Sequence, residues 1–234
     1  MRNKLVIACG LSVLASTLPP LHGQEGPKQS FEVSSKERLN FPPGGTIFVD
    51  NSYGYLTVEG WDEPEVEVTI IKSTNSFYHP NQKEQAEQRF NKVRVATERR
   101  SAKALAISTI LPSRHSKAGV TLEYRILVPR NSSLVVRHDN GYVWVSDITG
   151  DLEVKSHTGD MIVMLPDPGP YAIDARSRMG SVSSDFVGKF AYRFVLGTHF
   201  ARPGEAPSRR IYLRMGHGCI TIKQGPRPLP FTND

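Results

Sequence analysis

Two aspartates, Asp151 and Asp160, stand nine residues apart in the sequence, each directly after a glycine. Two carboxylates held close together can share the roles of general acid and general base, as in enzymes that cleave polysaccharides. An aspartate after a glycine also suits a turn, where its side chain accepts a hydrogen bond from a nearby backbone amide. Because no neighbouring residue marks either carboxylate as catalytic, we favour the turn role and keep the enzyme as the alternative.

Other residue types that carry chemistry lack the spacing that their chemistry requires. Three histidines, His138, His157 and His217, each lie within three residues of a repeated glycine, but the sequence holds no HExxH and no CxxC pair. A metal site needs three or four converging ligands, so we expect polar turn residues and no metal or cofactor. Ser181 is not part of a GxSxG elbow, and nothing marks Cys219 as a nucleophile. The sequence therefore predicts no catalytic residues.

Aromatic side chains form the most promising binding group. Tyr55, Tyr142 and Trp144 occupy positions that the apolar alternation directs outward, and two of them share one predicted strand. Exposed rings often contact the flat apolar face of a sugar or another protein. The alternative is that the N-terminal half of the chain covers them. We predict a weak binding surface at these three residues.

A basic stripe is a second candidate surface. Its members are outward-facing cations in the same repeats: Arg137, Lys155, Arg176 and Arg178. Such a stripe suits anionic glycans or lipid headgroups, although a solvated charged face has the same composition.

Composition and the N-terminus restrict the compartment. The 234 residues are 38% hydrophobic and 22% charged, which is enough for a folded core. Residues Met1–Gly23 contain a basic start, an apolar run over Leu5–Leu18 and then Pro19-Pro20, which is typical of a secretory signal peptide and too short for a stable membrane span. Cys9 follows a lipobox-like stretch, so a lipid anchor is an alternative. Without Met1–Gly23, 27 basic residues face 23 acidic ones, a net charge of +4 that disfavours nucleic-acid binding.

A short repeat predicts the fold. The unit is glycine followed by alternating apolar residues, and it recurs as Gly45–Val49, Gly54–Val58, Gly141–Val145, Gly150–Val154, Gly159–Val163 and Gly218–Ile222. Looser copies begin at residues 132, 169, 180 and 188, and the starts at 132, 141, 150 and 159 are nine apart. This alternation is typical of strands with one buried face, which must stack because none can bury that face alone. We predict an all-β β-solenoid with two or three units per coil, with a β-sandwich or meander as the alternative.

The predicted buried set of the repeats is Val143, Val145, Leu152, Val154, Met161 and Val163. The N-terminal half adds strands around residues 31–33, 66–71, 93–95, 104–107 and 120–128, together with one short inserted helix near 81–91 capped by Asn81. Loops are expected over 112–119 and 198–208. We therefore predict a signal peptide over 1–23, a polar leader over 24–30, one domain over 31–224 with an insertion near 194–210, and a proline-rich tail over 225–234.

Three segments resemble a known family. They are residues 50–62 (DNSYGYLTVEGWD), 124–129 (YRILVP) and 138–152 (HDNGYVWVSDITGDL). Together they resemble the bacterial "putative adhesin" family of exported β-solenoid envelope proteins, over roughly residues 31–192. The resemblance implies a β-solenoid in the cell envelope, in the periplasm or at the outer surface, and it supplies no catalytic residues. The chain departs from the family pattern after Gly188.

These observations favour a non-enzymatic, adhesin-like binding or structural module of the bacterial envelope. Its expected partner is an envelope glycan or another envelope protein. Two alternatives stay open, namely a polysaccharide-acting enzyme on the same scaffold and an envelope signalling partner that uses the aromatic strand.

Overall fold

A computed structural model describes residues 28–111, 119–166, 169–193, 197–205 and 208–225. The predicted signal peptide, Cys9, most of the polar leader, most of the 112–119 loop and the proline-rich tail beyond Gly225 lie outside these residues. The strands are β1 Glu32–Asn40, β2 Thr46–Trp61, β3 Glu65–Thr74, β4 Arg94–Ser101, β5 Ala104–Ile110, β6 Val120–Pro129, β7 Ser133–Ser146, β8 Leu152–Pro166, β9 Tyr171–Met179, β10 Val182–Ser184, β11 Lys189–Arg193, β12 Gly197–Arg202, β13 Arg209–His217 and β14 Ile220–Gly225. The all-β prediction is confirmed, because these strands join in one open sheet.

One short helix, α1 (Lys83–Asn91), lies in the predicted segment, after a 3-10 turn over Pro80–Gln82. The predicted cap at Asn81 is wrong, because Asn81 lies inside that turn and the turn is capped at His79, whose amide donates to Gln82 Oε1 at 3.0 Å. Ala86 and Phe90 are the buried residues of α1. Lys72 on β3 donates to the carbonyl oxygens of Phe90 and Val93, which fixes the end of the helix against that strand.

The centre of the sheet is a parallel stack of long strands. β2 pairs with β7, and β7 pairs with β8, in parallel and in register along nearly their whole lengths. Leu134 lies opposite Leu152 and Val143 opposite Met161, so equivalent residues of β7 and β8 are 18 residues apart. The nine-residue repeat of the sequence is thus half of the 18 residues that separate paired positions on β7 and β8.

Each long strand changes direction at a glycine. The buried residues of β7 are even-numbered up to His138, whereas Val143 and Val145 are the buried apolar residues after the corner, so the alternation changes phase across Gly141. β2 changes partner at the equivalent Gly54, pairing with β5 before it and with β6 after it. A glycine is required here because Gly54 and Gly141 have φ values of +111° and +132°.

The last two strands enter the middle of the stack. β13 pairs in parallel with β8 on one side and with β9 on the other, although β9 precedes β13 in the chain. In the second half of the stack, β14 lies between β8 and β10 in the same way. The chain therefore leaves a gap after β8, forms β9 to β12, and then returns to fill the gap.

Antiparallel strands flank the parallel stack. At one end β1, β3 and β6 pair antiparallel, and β4 and β5 form an antiparallel pair beside β2. At the other end β12 pairs antiparallel with both β9 and β11. The loop predicted over residues 198–208 is thus partly wrong, because β12 occupies Gly197–Arg202.

The predicted buried set of the repeats is confirmed, since all six side chains are at most 1% exposed. They belong to one hydrophobic cluster that also includes the buried residues of β13 and β14. Among the described residues, no helix combines the length and the apolar character that crossing a membrane would require.

Candidate functional site

The three predicted aromatic residues lie on neighbouring strands of the stack. Tyr55 on β2 is the register partner of Tyr142 on β7, and Trp144 is the partner of Thr57. Tyr55 is 57% exposed, whereas Tyr142 and Trp144 are half-buried. The helix leaves Tyr55 accessible, because α1 packs against β3. The structure therefore brings the two tyrosines together and places Trp144 in the next outward row.

The glycine corners position this row. Gly54, Gly141 and Gly159 occupy the same register position on β2, β7 and β8, one residue before the row that contains Tyr55 and Tyr142. A Cβ atom at Gly141 would overlap the carbonyl oxygen of Gly54, and one at Gly159 would overlap that of Gly141. Glycine lets the backbones pack closely at the corner, so successive outward side chains stand about 4.8 Å apart.

An open groove of about 400 Å³ runs along this corner. Its walls include three tyrosines and several other hydrogen-bonding side chains: Tyr53, Tyr55, Tyr142, Asn75, Asn140, Thr121 and Asp160. Burial, with the nearby charge of Asp160, raises the pKa of Tyr142. Its phenol therefore stays protonated at neutral pH and can donate a hydrogen bond. Flat rings beside amide, hydroxyl and carboxylate groups are the groups that a sugar ring requires.

The two aspartates that suggested acid and base catalysis have another role. Asp151 Oδ1 accepts a hydrogen bond from the backbone amide of Arg210 at 2.9 Å, and Asp160 Oδ1 accepts one from that of Cys219 at 3.0 Å. Asp151 directly precedes β8, and Asp160 directly follows the glycine at its corner. The extended residues 152–158 and the corner glycine separate them, and the extended part alone spans roughly 23 Å, well beyond the separation of about 5 to 10 Å used by paired carboxylates. The sequence-based acid and base pair is therefore not assembled.

The histidines do not converge either. His138 is 2% exposed, and neither ring nitrogen has a hydrogen-bond partner of good geometry. Burial lowers the pKa of His138 to about 4, against the opposing effects of Asp139 and the backbones of Asn140 and Gly54. The rings of His157 and His217 pack edge to face with centroids 5.6 Å apart. Within the described ranges, no group of three or more potential ligands is arranged to hold a metal ion.

Cys219 is exposed, and the described residues form no disulfide with it. Its sulfur accepts a hydrogen bond from Ser181 Oγ at 3.2 Å. This residue lies in the outward row at the Gly218 corner, directly after a glycine with φ +130°.

Three of the four residues of the predicted basic stripe lie in one row across the strands. Arg137 is the register partner of Lys155, and Arg176 lies two strands beyond Lys155, with one further cation between them. Arg178 lies outside this row, two residues after Arg176 on β9. The cation between Lys155 and Arg176 is Arg214 on β13, which the sequence reasoning missed because β13 begins with arginines and not with a glycine. The alternation of Ile211, Leu213 and Met215 is the signal that could have identified it.

Arg214 is held by several contacts on this face. Its guanidinium group lies 3.7 Å from the centroid of the Tyr212 ring and donates to Asp174 Oδ2 at 2.7 Å. His199 Nε2 lies 2.8 Å from Asp174 Oδ1. Burial alone would raise the pKa of Asp174, but the hydrogen bonds from Arg214 and His199 lower it below its usual value. Asp174 therefore stays ionised and neutralises the charge of Arg214, which lies between Lys155 and Arg176 in the basic row.

Comparisons with known proteins give little further information. No family model matches the sequence, and no curated protein shows significant similarity to it. A "putative cell adhesion protein" from Clostridium sporogenes is 15% identical, covers 84% of this chain and 100% of its own, and has a TM-score of 0.47.

Two "putative adhesin" structures also match. The Parabacteroides merdae structure is 9% identical, with 64% of this chain and 60% of its own covered and a TM-score of 0.24. The Bacteroides fragilis structure is 11% identical, with 81% and 97% covered and a TM-score of 0.29. These names agree loosely with the family that the sequence resembles.

Proposed function

We propose that this chain is a non-enzymatic, adhesin-like binding module of the bacterial cell envelope. In this proposal Met1–Gly23 directs export and is removed, and residues 31–224 form one domain built as a short β-solenoid. The parallel in-register stack of β2, β7 and β8 with its stacked corner glycines supports the solenoid. Export places the module in the periplasm or at the outer surface.

One observation carries the proposed binding role. Tyr55 and Tyr142 are register partners on adjacent strands, and they share an open groove with Asp160 and two asparagines. A rigid backbone holds these groups, so binding a sugar in the groove would cost little ordering of the protein. We propose a neutral envelope glycan as the ligand, with Trp144 in the next row extending the contact.

The polysaccharide-cleaving alternative finds less support. It needs two carboxylates that face one cleft, but Asp151 accepts a hydrogen bond from the Arg210 amide on β13, and Asp160 accepts one from the Cys219 amide just before β14. These amides lie 59 residues away and not in the local turn that the sequence suggested, but they give both carboxylates a structural role, so we propose binding without cleavage.

The test is binding of neutral oligosaccharides of N-acetylglucosamine and of glucose, measured by calorimetry on the exported protein. We expect the variant Tyr55→Ala/Tyr142→Ala to weaken binding about tenfold or more, because both stacking faces are lost. Tyr192→Ala is the matched control, since Tyr192 is 78% exposed on the distant strand β11. An absence of binding to both oligosaccharides, or equal loss in the control, would overturn the glycan proposal. Release of shorter sugars during the assay would favour the enzyme.

A further inference from the structure

Strand β11 forms one end of the sheet. It follows β12 in the strand order, and among the described strands β12 is its only partner. The paired residues run antiparallel from Lys189 opposite Ala201 to Arg193 opposite Gly197. The backbone N–H and C=O groups on the other side of β11 therefore face no described strand. Such an edge is a template on which another extended segment can pair.

The inner face of β11 carries two aromatic side chains that lie in rows of core residues but are themselves exposed. Phe190 lies opposite Phe200 and Tyr192 lies opposite Thr198. Both partners on β12 are buried, whereas Phe190 is 41% exposed and Tyr192 is 78% exposed. The Phe190 ring already contacts the ring of Phe200, with centroids 4.8 Å apart. The core therefore ends at β11 with an uncovered aromatic pair, which the side chains of one further strand would cover.

The other outer strands are protected against such pairing. At the opposite end of the sheet β1 and β4 contact each other, because Thr97 on β4 donates to Glu37 Oε2 on β1 at 2.8 Å. Arg99 on β4 also donates to the carbonyl oxygen of Asn40 on β1. Strand β10 has only three residues, and short or covered edges recruit further strands poorly. Of the outer strands that the structure describes, β11 alone combines an open side with two exposed aromatic rings.

The charge of this end of the sheet favours an acidic partner. Residues 171–202, which include β9 to β12, contain five basic residues and two acids, a net charge of +3. Both acids are already engaged within the protein. Asp174 pairs with Arg214 at 2.7 Å, and Asp185 accepts a hydrogen bond from a backbone amide of β14 at 3.2 Å. Complementary charge directs association and excludes partners of like charge, so this end selects a partner that carries acids.

Charge also disfavours a second copy of the chain as the partner. Antiparallel pairing of two β11 strands with Phe190 opposite Tyr192 would place Lys189 opposite Arg193 at both ends of the contact. Like charges directly opposite one another on a sheet are destabilising, whereas opposite charges there are stabilising. The observations therefore favour a strand that comes from another, acidic protein.

We propose that β11 accepts an extended segment of an acidic partner protein as an additional strand of the sheet. The backbone of the segment pairs with the open side of β11. Its residues opposite Phe190 and Tyr192 lie on the inner face and are apolar, whereas the residue opposite Lys189 lies on the outer face and is acidic. Because successive side chains of a strand point to opposite faces, the segment alternates apolar and acidic residues. This site is separate from the corner groove at Tyr55 and Tyr142, and it does not depend on glycan binding.

The test uses the full exported chain and a short, labelled synthetic peptide of alternating glutamate and valine. Fluorescence anisotropy measures the affinity, and hydrogen exchange locates the bound peptide. We expect the peptide to bind and to protect the amides of β11 from exchange. A lysine–valine peptide of equal length should bind about tenfold more weakly or not at all, because its charges repel Lys189.

Methylation of the peptide backbone distinguishes strand pairing from attraction between charges. The N–H groups of an extended strand point alternately to its two sides, so one version is methylated on every valine nitrogen and another on every glutamate nitrogen. One version should bind about tenfold more weakly or worse, because the N–H groups that face β11 are lost, and the other version should keep its affinity. Equal affinity of the two versions would overturn the addition of a strand.

Two variants locate the site on β11. Lys189→Glu should reverse the preference, so that the lysine–valine peptide binds more tightly than the glutamate–valine peptide. Tyr192→Ala should weaken binding about threefold or more, because the ring no longer packs on the apolar side of the added strand. The matched controls Lys103→Glu and Phe77→Ala change exposed residues elsewhere, and both should keep full binding.

Three results would overturn the proposal. The first is no binding of the glutamate–valine peptide, and the second is equal weakening in the control variants. The third is a dimer in sedimentation that Tyr192→Ala abolishes, which would assign the edge to a second copy of the chain. Tyr55→Ala/Tyr142→Ala should keep peptide binding, so failure here and failure of the neutral-glycan proposal are distinguishable.

Discussion

The carboxylate of Asp160 accepts a 3.0 Å hydrogen bond from the backbone amide of Cys219. The two residues stand at equivalent corners of β8 and the segment before β14. Asp151 makes the same contact with Arg210, also 59 residues later in the chain. The pair of aspartates thus fixes both halves of the returning β13–β14 segment against β8.

We predict that Asp160→Ala lowers the free energy of unfolding by about 1 kcal/mol, because the Cys219 amide loses a charged acceptor. Asp160→Asn should recover part of this loss, since its side-chain oxygen can still accept. Urea unfolding followed by circular dichroism measures the difference. Glu63→Ala, at an exposed turn, is the control and should change little. An unchanged stability of Asp160→Ala would show that the contact contributes nothing to the fold.

Gly141→Ala should be much more harmful than an ordinary glycine substitution. The backbone has φ +132°, and the new methyl group would overlap the carbonyl oxygen of Gly54. We expect a loss of about 3 kcal/mol or more in the free energy of unfolding. Gly44→Ala is a matched control, because Gly44 has φ +76° with no atom within 4 Å of the added carbon. That control should lose only about 1 to 2 kcal/mol, the cost of the left-handed backbone, and similar losses in both variants would contradict the proposed packing at the corner.

We predict that the buried His138 makes the free energy of unfolding depend on pH. Burial lowers its pKa from 6.5 to about 4, so between these values the unfolded chain binds a proton that the folded chain does not. The free energy of unfolding should therefore fall as the pH drops from about 6.5 to about 4, by about 3 kcal/mol in total, and this contribution should be constant above that range.

Chemical unfolding at pH 7.5 and at pH 4.5 tests this prediction. His138→Gln should lose most of the difference between the two pH values, whereas His157→Gln, at an exposed position, should retain it. If both variants respond to pH as the unchanged protein does, then His138 is not the group that titrates.

Labelling of the cysteines tests two predictions at once: the removal of Met1–Gly23 and the exposure of Cys219. Cys219 is exposed, so the folded protein recovered from the envelope should react with one maleimide per chain, and Cys219→Ser should react with none. Mass spectrometry counts the labels. Two labels on the unchanged protein would mean that Cys9 is retained and that the predicted removal of Met1–Gly23 does not occur.

The repeats made much of the fold predictable. Alternation alone identified Val143, Leu152 and Met161 as buried, because one-sided burial imposes a period of two on any strand. β13 was missed since Arg209 takes the place of the expected glycine. Its position between β8 and β9 was also beyond the sequence, because no local pattern encodes pairing between residues 59 positions apart.

For the candidate surfaces, the sequence predicted which side chains point outward but not which of them lie next to each other. Outward positions for Tyr55, Tyr142 and Arg137 follow from alternation, and the structure places the two tyrosines in one row. The alternative acid–base pair of Asp151 and Asp160 does not form, because equivalent places in successive repeats lie at opposite ends of an extended segment and not on neighbouring strands. Residues 18 apart are the ones that meet, as Tyr142 and Asp160 do.

The late return of β13 and β14 has a consequence for how the molecule is completed. β13 and β14 are synthesised after β8 to β12. Until they are present, β8 and β9 each have one side without a paired strand. A chain that stops at residue 208 would lack strands from the centre of the sheet and not only from its end. It would carry two open sheet edges at its centre, where other copies could insert, and so the final strands are the step that protects the nascent protein from self-association.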